Sequence, residues 1–292
     1  MINLGIIGFS KGNGHPYSFS AIFNGYEDKY LKKIKYKNIH NYLKVQKKKN
    51  FIGNLAKVTH AWSKNFNDTL LLSKACKIKH PLKKYQLMDG KVDGVIIAKD
   101  NWQDNKKIAD FFLKKNIPVF LDKPLTLSIH DLKYYKKFYK KKLIMSCSGL
   151  RFSNELSEIK KKLKKIGKIN FIIANITNDL DKYSIHLLEV IQALGILKVK
   201  NIKKLQNKYE SFYLELEKNK YLLLNCFGKK IAINNMQIYC EKGYIDINFK
   251  DNFNAFRNTL IEFTKLIKKQ KVSFSFKDTF CIINTIIKLK KL

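Results

Sequence analysis

A short apolar run that ends on an acid, a lysine and a proline lies near the middle of the chain: Asn116-Ile117-Pro118-Val119-Phe120-Leu121-Asp122-Lys123-Pro124-Leu125. It predicts a buried strand, and Pro124 must end that strand because proline has no N–H for a sheet ladder. Asp122 and Lys123 then lie at the carboxyl end of the strand, the edge where open α/β sheets bind ligands. We therefore expect this segment to be both the joint between two domains and the floor of an active site.

Strands and helices alternate on the N-terminal side of this run. Strands are predicted near residues 4–8, 56–62 and 92–98, and helices over residues 68–77 and 106–115. This rhythm predicts a parallel sheet with right-handed crossovers. We therefore predict an α/β fold in which residues 1–121 form an N-terminal Rossmann domain that binds NAD or NADP.

A loop of small residues follows the first predicted strand and reads Gly8-Phe9-Ser10-Lys11-Gly12-Asn13-Gly14-His15-Pro16. Strand, glycine loop and helix in this order are the layout of a dinucleotide-binding turn, in which glycines let the backbone approach a pyrophosphate. Against the G-x-G-x-x-G spacing, Ser10 and Asn13 occupy the second and third glycine positions. A tight strand-to-helix turn without a cofactor is the alternative. The candidate cofactor contacts here are Gly8, Ser10, Gly12, Asn13, Gly14 and His15.

The second predicted strand ends in Trp62-Ser63-Lys64-Asn65, without the acid that usually bonds the ribose hydroxyls of a dinucleotide. Ser63 with Lys64 could tolerate a 2′-phosphate, which would favour NADP, and Trp62 could stack on the adenine. The alternative is that Trp62 is a core aromatic residue and Lys64 a surface charge. Trp62, Ser63, Asp122 and Lys123 complete the candidate cofactor contacts.

The pattern changes after residue 167, where strands follow one another without helices between them. Strands are predicted over residues 170–175, 209–217, 221–227 and 237–249, with one helix over residues 184–194. Residues 122–292 are therefore predicted to form a C-terminal α+β domain with a mostly antiparallel open sheet, used for substrate binding and oligomerisation. Two helices near residues 254–268 and 278–289 end the chain, and the last could pack on the first domain.

The formal net charge of +35 raises the question of nucleic acid. However, Arg151 and Arg257 are the only arginines among 58 Lys and Arg residues, and the lysines are spread along the whole chain. Nucleic-acid readers depend on arginine for bidentate contacts. We therefore interpret the lysines as a solvated surface that attracts anionic substrates, with no nucleic-acid partner; a nucleic-acid-binding module is the alternative.

Other features favour a cytoplasmic protein. No apolar run reaches the ~20 residues of a membrane span, and Met1–Gly5 lacks the pattern of a signal peptide, so no membrane association is predicted. The five cysteines include no C-x-x-C pair, which favours buried free thiols in a reducing compartment. No histidine spacing predicts a metal site.

The order of these motifs resembles the glucose–fructose oxidoreductase, inositol dehydrogenase and rhizopine-catabolism family, Gfo/Idh/MocA. The resemblance rests on the glycine turn, on Asp122-Lys123-Pro124 in place of a Glu-Lys-Pro motif, on Arg151-Phe152, on His186 near a helix start, and on the final helices. It implies an NAD(P)-dependent oxidoreductase that transfers hydride between nicotinamide and a secondary hydroxyl or keto group of a small sugar, nucleotide-sugar or cyclitol.

The resemblance also implies residue roles. His186 matches the catalytic histidine, and an imidazole suits the removal of an alcohol proton. Lys123 can bond the same oxygen and stabilise its developing negative charge. Lys182 would favour a neutral histidine. Glu189 matches an acid that follows the histidine by three residues, and Arg151 either holds an acidic substrate group or pairs with a surface acid. The candidate catalytic residues are thus His186, Lys123 and Lys182, and the substrate contacts are Arg151, Lys123 and His186.

One departure from the family pattern motivates a second hypothesis. Active dehydrogenases of the family carry an aspartate four residues before the histidine, where this chain has Lys182. A member that has lost redox activity and acts as a nucleotide- or sugar-binding regulatory protein is therefore the alternative. The open sheet face of the second domain needs cover, which predicts a homo-oligomer.

Overall fold

The computed structural model describes residues 1–292 and divides into two compact units. The sequence predicts a single boundary after residue 121, whereas in the structure each unit is assembled from three segments. Unit 1 comprises Met1–Leu125, Tyr134–Ser146 and Phe256–Ser273; unit 2 comprises Thr126–Lys133, Cys147–Ala255 and Phe274–Leu292.

Unit 1 is built on a six-stranded parallel sheet in the order β3-β2-β1-β4-β5-β6. The chain proceeds outward from β1 and then returns to its other side, so the strand order reverses between β1 and β4. This is the Rossmann architecture that the alternating pattern predicts. The strands are β1 Ile2–Ile7, β2 Ala56–Trp62, β3 His80–Pro81, β4 Gly94–Ile97, β5 Val119–Leu121 and β6 Ile144–Met145.

Helices cover this sheet because its central strands are apolar on both faces. Every residue of β4 and β5 is buried, as expected of parallel strands between two helical layers. Ser128 Oγ accepts the N–H of Asp131 at the start of α6 and so satisfies one backbone donor of its first turn. The helices are α1 His15–Asn24, α2 Asp28–Leu31, α3 Lys37–Lys44, α4 Phe66–Ala75, α5 Trp102–Leu113 and α6 Ile129–Lys140, the last of which runs from unit 2 into unit 1.

The connection from β1 to β2 is longer than a single crossover helix requires. Residues 8–55 contain α1 and two further short helices, of which α2 packs on α4 and α3 packs on α1. Gly14 permits this packing: a Cβ there would lie 2.5 Å from Ile39 Cδ1 and 2.7 Å from Tyr36 Cγ. The additional segment is thereby fixed against the first turn of α1.

A late segment of the chain completes the core of unit 1. Helix α9 spans Asn252–Ile267, and its residues from Phe256 onward belong to this unit. The rings of Phe263 and Phe120 are 5.8 Å apart. A Cβ at Gly94 would lie 2.6 Å from Ile267 Cδ1, so β4 needs glycine where α9 crosses it. This packing is why the compact unit extends beyond a single N-terminal stretch.

Unit 2 contains a second six-stranded sheet in the order β12-β11-β7-β10-β9-β8. The pair β7–β10 is parallel and every other pair is antiparallel, which confirms the predicted mostly antiparallel sheet. Helix α8 packs on β7 and β10. The elements are α7 Asn154–Ile166, β7 Ile169–Ile176, α8 Leu180–Ala193, β8 Val199–Lys204, β9 Glu210–Leu216, β10 Lys220–Cys226, β11 Asn234–Cys240, β12 Gly243–Asn248 and α10 Phe276–Leu289.

Three details of unit 2 differ from the sequence prediction. Residues 237–249 are not one strand, because the chain turns at Glu241 and Lys242 and forms the hairpin β11–β12. Strand β8 is absent from the prediction, since Val199–Lys204 has no alternating apolar pattern. The final helix α10 packs on α8 within unit 2. None of the helices combines the length and apolar character needed to cross a lipid bilayer.

Candidate functional site

The carboxylate of Asp122 at the end of β5 is held by the loop that follows β1. Asn13 Nδ2 donates to Asp122 Oδ2 at 2.9 Å, and His15 Nδ1 lies 2.6 Å from the same oxygen. The backbone N–H of Lys123 donates to Asp122 Oδ1. Asp122 and Lys123 are both buried. The sequence elements singled out at the two strand ends therefore meet in unit 1.

The environment of Asp122 keeps it ionised. Burial alone would raise the pKa of its carboxyl, but the charge and hydrogen bond of His15, the charge of Lys123 and the amide of Asn13 lower that pKa to about 2. An aspartate side chain is one methylene shorter than glutamate, and here two side chains reach it from the β1 loop. The result is a fixed negative charge at the sheet edge.

The loop after β1 can accommodate the backbone of a dinucleotide. Gly12 has φ +83°, a conformation that favours glycine, and no atom lies within 4 Å of where a Cβ would stand, so the backbone here is open to a ligand. The N–H groups of Lys11 and Gly12 donate to no acceptor of the protein. A phosphate placed here would find two backbone donors and the Lys11 ammonium.

The first turn of α1 has fewer free backbone N–H groups than the start of a helix at a phosphate site would usually offer. Asn13 Oδ1 accepts the N–H of His15 at 2.8 Å, and Pro16 has no N–H. The anion-binding groups are therefore those of the loop rather than those of the helix. Ser10 bonds Asp100 after β4, at a distance of 2.5 Å between the two side-chain oxygens, so the loops after β1 and β4 are joined at the point where the strand order reverses.

The polar groups at the end of β2 have partners within the protein. The hydroxyl of Ser63 is 2.7 Å from Thr69 Oγ1 and from the carbonyl of Asn65, which makes it part of the turn into α4. The indole N–H of Trp62 donates to the carbonyl of Lys83, and its ring packs edge-on against Tyr85. The hydroxyl of Ser63 and the indole N–H of Trp62 are thus both hydrogen-bonded within unit 1.

In unit 2 the imidazole of His186 has a buried serine as its partner. Ser148, which follows β6 in the chain, places its Oγ 2.7 Å from His186 Nδ1. The same oxygen accepts the N–H of Leu150, and the N–H of Ser148 donates to Glu189 Oε1, one turn along α8 from His186. The serine is 1% exposed, so the contact is shielded from water. His186 itself is half-buried.

Arg151 is the centre of an ionic cluster in unit 2. Its guanidinium donates to Glu189 Oε2 at 3.0 Å and to Asp278 Oδ2 at 3.1 Å, and Gln192 donates to the other oxygen of Asp278. Burial raises the pKa of Glu189 to about 7, although Arg151 and the N–H of Ser148 oppose that rise. Of the two interpretations of Arg151, the structure favours pairing with acids of the protein, of which Glu189 is buried and Asp278 is partly exposed.

Lys182 lies in the first turn of α8. Its N–H donates to Asp179, the residue that caps the helix, and its side chain is half-buried. No group of three or more His, Cys, Asp or Glu side chains is arranged to hold a metal ion.

Sequence reasoning missed two functional candidates, Ser148 and the pairing of His15 with Asp122. Ser148 is 38 residues from His186, and His15 is 107 residues from Asp122. The sequence could indicate only that such residues follow predicted strands. It could not indicate which side chains meet.

Part of the sequence matches the model of a known protein family. Residues 32–147 match the GFO_IDH_MocA family, described as an oxidoreductase family with an NAD-binding Rossmann fold. The match confirms the family resemblance and the predicted class of cofactor and enzyme. Curated protein sequences give no match to the chain.

Solved structures resemble this chain in fold along its whole length. A scyllo-inositol dehydrogenase from Lactobacillus casei, with bound NAD(H) and scyllo-inositol, has a TM-score of 0.75 at 16% identity, covering 100% of this chain and 96% of that one. A myo-inositol 2-dehydrogenase from Lactobacillus plantarum has a TM-score of 0.77 at 12% identity, covering 99% and 96%. A UDP-N-acetylglucosamine 3-dehydrogenase from Acidithiobacillus ferrooxidans has a TM-score of 0.73 at 9% identity, covering 99% and 97%. At these identities the likeness shows the fold alone.

Proposed function

We propose that the chain is an NAD(P)-dependent oxidoreductase that transfers hydride between nicotinamide and a secondary hydroxyl or keto group of a sugar, nucleotide-sugar or cyclitol. The observation that carries the proposal is the 2.7 Å contact between Ser148 Oγ and His186 Nδ1, which orients the histidine at the position of the family's catalytic base. Inositol and nucleotide-sugar dehydrogenases among the solved structures of this fold support the substrate class.

His186 is proposed to act as the base that removes the proton of the reacting hydroxyl. Ser148 Oγ has two lone pairs and can accept both the N–H of Leu150 and a hydrogen on His186 Nδ1. With its hydrogen on Nδ1, the imidazole presents Nε2 as the base that removes the alcohol proton. In the reverse direction the imidazolium returns that proton to the keto oxygen.

The nicotinamide, when bound, accepts or supplies the hydride. The residues that would hold the dinucleotide are those of the β1 loop, with the N–H groups of Lys11 and Gly12 and the glycine backbone as the phosphate contacts. Lys123 is proposed to donate a hydrogen bond to the oxygen on the reacting carbon. Its ammonium would stabilise the negative charge that develops on that oxygen. Asp122 holds the backbone of Lys123 through its N–H and so fixes the segment that carries this ammonium.

The alternative of a non-redox binding protein rests on Lys182, which stands where an aspartate is expected. That aspartate would orient the histidine and stabilise its charged form. Ser148 supplies the orientation without the charge, because a hydroxyl can accept a hydrogen bond from Nδ1. The contact therefore favours a working base over a lost one, and turnover with any sugar of a broad panel would exclude the binding-only hypothesis.

Replacing Lys123 with alanine tests the proposal. We expect kcat to fall by about 10²–10³-fold, the usual loss when one stabilising donor is removed from a developing oxyanion. Turnover is measured by NADH or NADPH absorbance, and cofactor binding by fluorescence quenching, which should be spared. Lys133→Ala, on an exposed turn of α6, is the matched control. If the wild-type chain binds neither cofactor at millimolar concentration, the proposed function fails.

We also keep as proposals a cytoplasmic location and a homo-oligomer formed through the second sheet. Tyr239 on β11 and Tyr244 on β12 are exposed, and their rings stack with centroids 6.1 Å apart. Exposed neighbouring aromatic residues on a sheet favour a covered face. Light scattering should give a mass above the 34.2 kDa of one chain, and a monomer would contradict the oligomer.

A further inference from the structure

A cavity of about 510 Å³ lies in unit 1 beside the loop that follows β1. Its volume is within the ~300–1,000 Å³ range of small-molecule sites. Four parts of the chain line it: the β1 loop, α1, the segment that joins α2 to α3, and the first turns of α4. The side chains that matter here are Lys11 from the loop, Lys33, Lys35 and Tyr36 from the joining segment, and Asp68 from α4.

The charges on the walls of this cavity favour an anion. Lys11, Lys33 and Lys35 share the cavity wall with one carboxylate, that of Asp68, and a second carboxylate, that of Asp100, bonds the lining residue Ser10. The nearby acids that form ion pairs use other lysines: Asp28 pairs with Lys32, and Glu27 with Lys77. The three cavity lysines thus keep a net positive charge beyond what Asp68 compensates. Ammonium groups on flexible stems are effective point charges for phosphate.

The place of the cavity in the fold limits which anion it can hold. Lys11 follows β1 directly and Asp68 lies in the first turn of α4, the helix after β2, so the cavity is at the carboxyl edge of these two neighbouring strands. In a sheet with this strand order, the adenosine ribose of a bound dinucleotide lies at the end of the second strand, where an acid selects the free 2′-hydroxyl and a cation accommodates a 2′-phosphate. Residues 62–65 contain no acid, and the hydroxyl of Ser63 is bonded within its own turn.

We propose that this cavity binds the 2′-phosphate of NADP(H), and that Lys33 and Lys35 of the additional segment between α1 and β2 make the chain prefer NADP over NAD. The inference rests on the proposed function, because it assigns one end of the same dinucleotide. Lys11 is shared between the 2′-phosphate and the pyrophosphate side of the loop. Tyr36, which packs on Gly14, fixes the segment that carries both lysines.

The test compares two nucleotides that lack nicotinamide, so that it does not depend on turnover. Isothermal titration calorimetry of the full chain with 2′,5′-ADP and with ADP should give at least a ~10-fold tighter Kd for 2′,5′-ADP at low ionic strength, and the difference should shrink as salt is added. The double variant Lys33→Gln/Lys35→Gln should lose this preference. Lys37→Gln/Lys44→Gln, which changes two exposed lysines of α3 outside the cavity, should retain it.

The outcomes separate this inference from the proposed function. The cavity assignment is overturned if the wild type binds the two nucleotides with equal affinity, or if Lys33→Gln/Lys35→Gln keeps the preference of the wild type. In either case, binding of NADH leaves the oxidoreductase proposal standing. Failure of NADH, NADPH, ADP and 2′,5′-ADP alike to bind overturns both. Thermal unfolding of each variant shows that the fold is intact, as expected for substitutions of exposed lysines.

Discussion

Replacing His186 with asparagine should lower kcat by about 10²–10⁴-fold, the contribution typical of a positioned acid–base group. Asparagine retains a hydrogen-bonding side chain towards Ser148 but cannot take up the alcohol proton. The measurement is steady-state NAD(P)H absorbance with whichever sugar of a broad panel the wild type oxidises. Cofactor affinity, measured by fluorescence quenching, should stay within about twofold, because the dinucleotide contacts assigned above lie in unit 1.

The contact with Ser148 gives this prediction a graded control. Ser148→Ala removes the hydrogen bond to His186, worth about 0.5–1.5 kcal/mol or about a 2- to 13-fold loss in kcat, and also removes the acceptor of the Leu150 N–H. Ser148→Thr keeps the hydroxyl and should restore most of the rate, whereas a purely structural role for the serine would not distinguish the two variants in kcat at equal stability. A rate for His186→Asn within tenfold of the wild type would exclude His186 as the base.

Replacing Arg151 with methionine should lower the free energy of unfolding by about 3–5 kcal/mol. The variant leaves the buried carboxylate of Glu189 without its 3.0 Å partner and removes one partner of Asp278. Urea denaturation followed by circular dichroism measures the loss. Arg257→Met is the matched control: the only other arginine pairs with no acid and donates hydrogen bonds to the carbonyl of Asn50 and to Asn258 Oδ1, each worth about 0.5–1.5 kcal/mol.

A second substitution distinguishes charge from packing at this site. In Arg151→Met/Glu189→Leu both buried charges are gone, and well-packed apolar replacements of buried ion pairs are often neutral or stabilising. We therefore expect the double variant to regain most of the stability that Arg151→Met loses. If Arg151→Met is as stable as the wild type, the cluster does not hold α8, α10 and the turn after β6 together.

Local sequence patterns predict most of the helices and strands. The elements that they do not predict are those stabilised by pairing with other strands. The run of residues 56–62 alternates and is apolar, and β2 has these bounds in the structure. The strand before Pro124 also ends where proline dictates. Strand β8 could not be predicted from its own composition, because its pairing with β9 stabilises it. The hairpin β11–β12 is likewise decided by pairing between its two strands across the turn at Glu241 and Lys242.

The candidate site divides in the same way. Residues placed by a strand end could be named from the sequence, and Asp122, Asn13 and His15 do meet in unit 1. Side-chain partners could not be named, because they come from segments tens of residues apart. The strand-end pattern assigns the hydroxyl of Ser63 to a ligand, yet its nearest acceptor lies two residues away in its own turn. The lysines of the β1–β2 connection have no pattern that links them to the sheet edge.

The packing of α9 on β4 and β5 bears on the order in which the chain can fold during its synthesis. Phe263 is fully buried in unit 1, although the strands it covers leave the ribosome more than a hundred residues earlier. At about 5–20 residues per second, the nascent sheet waits several seconds with that apolar surface uncovered. The protein therefore has a window in which chaperone binding, or premature association between nascent chains, competes with the arrival of its own C-terminal helix.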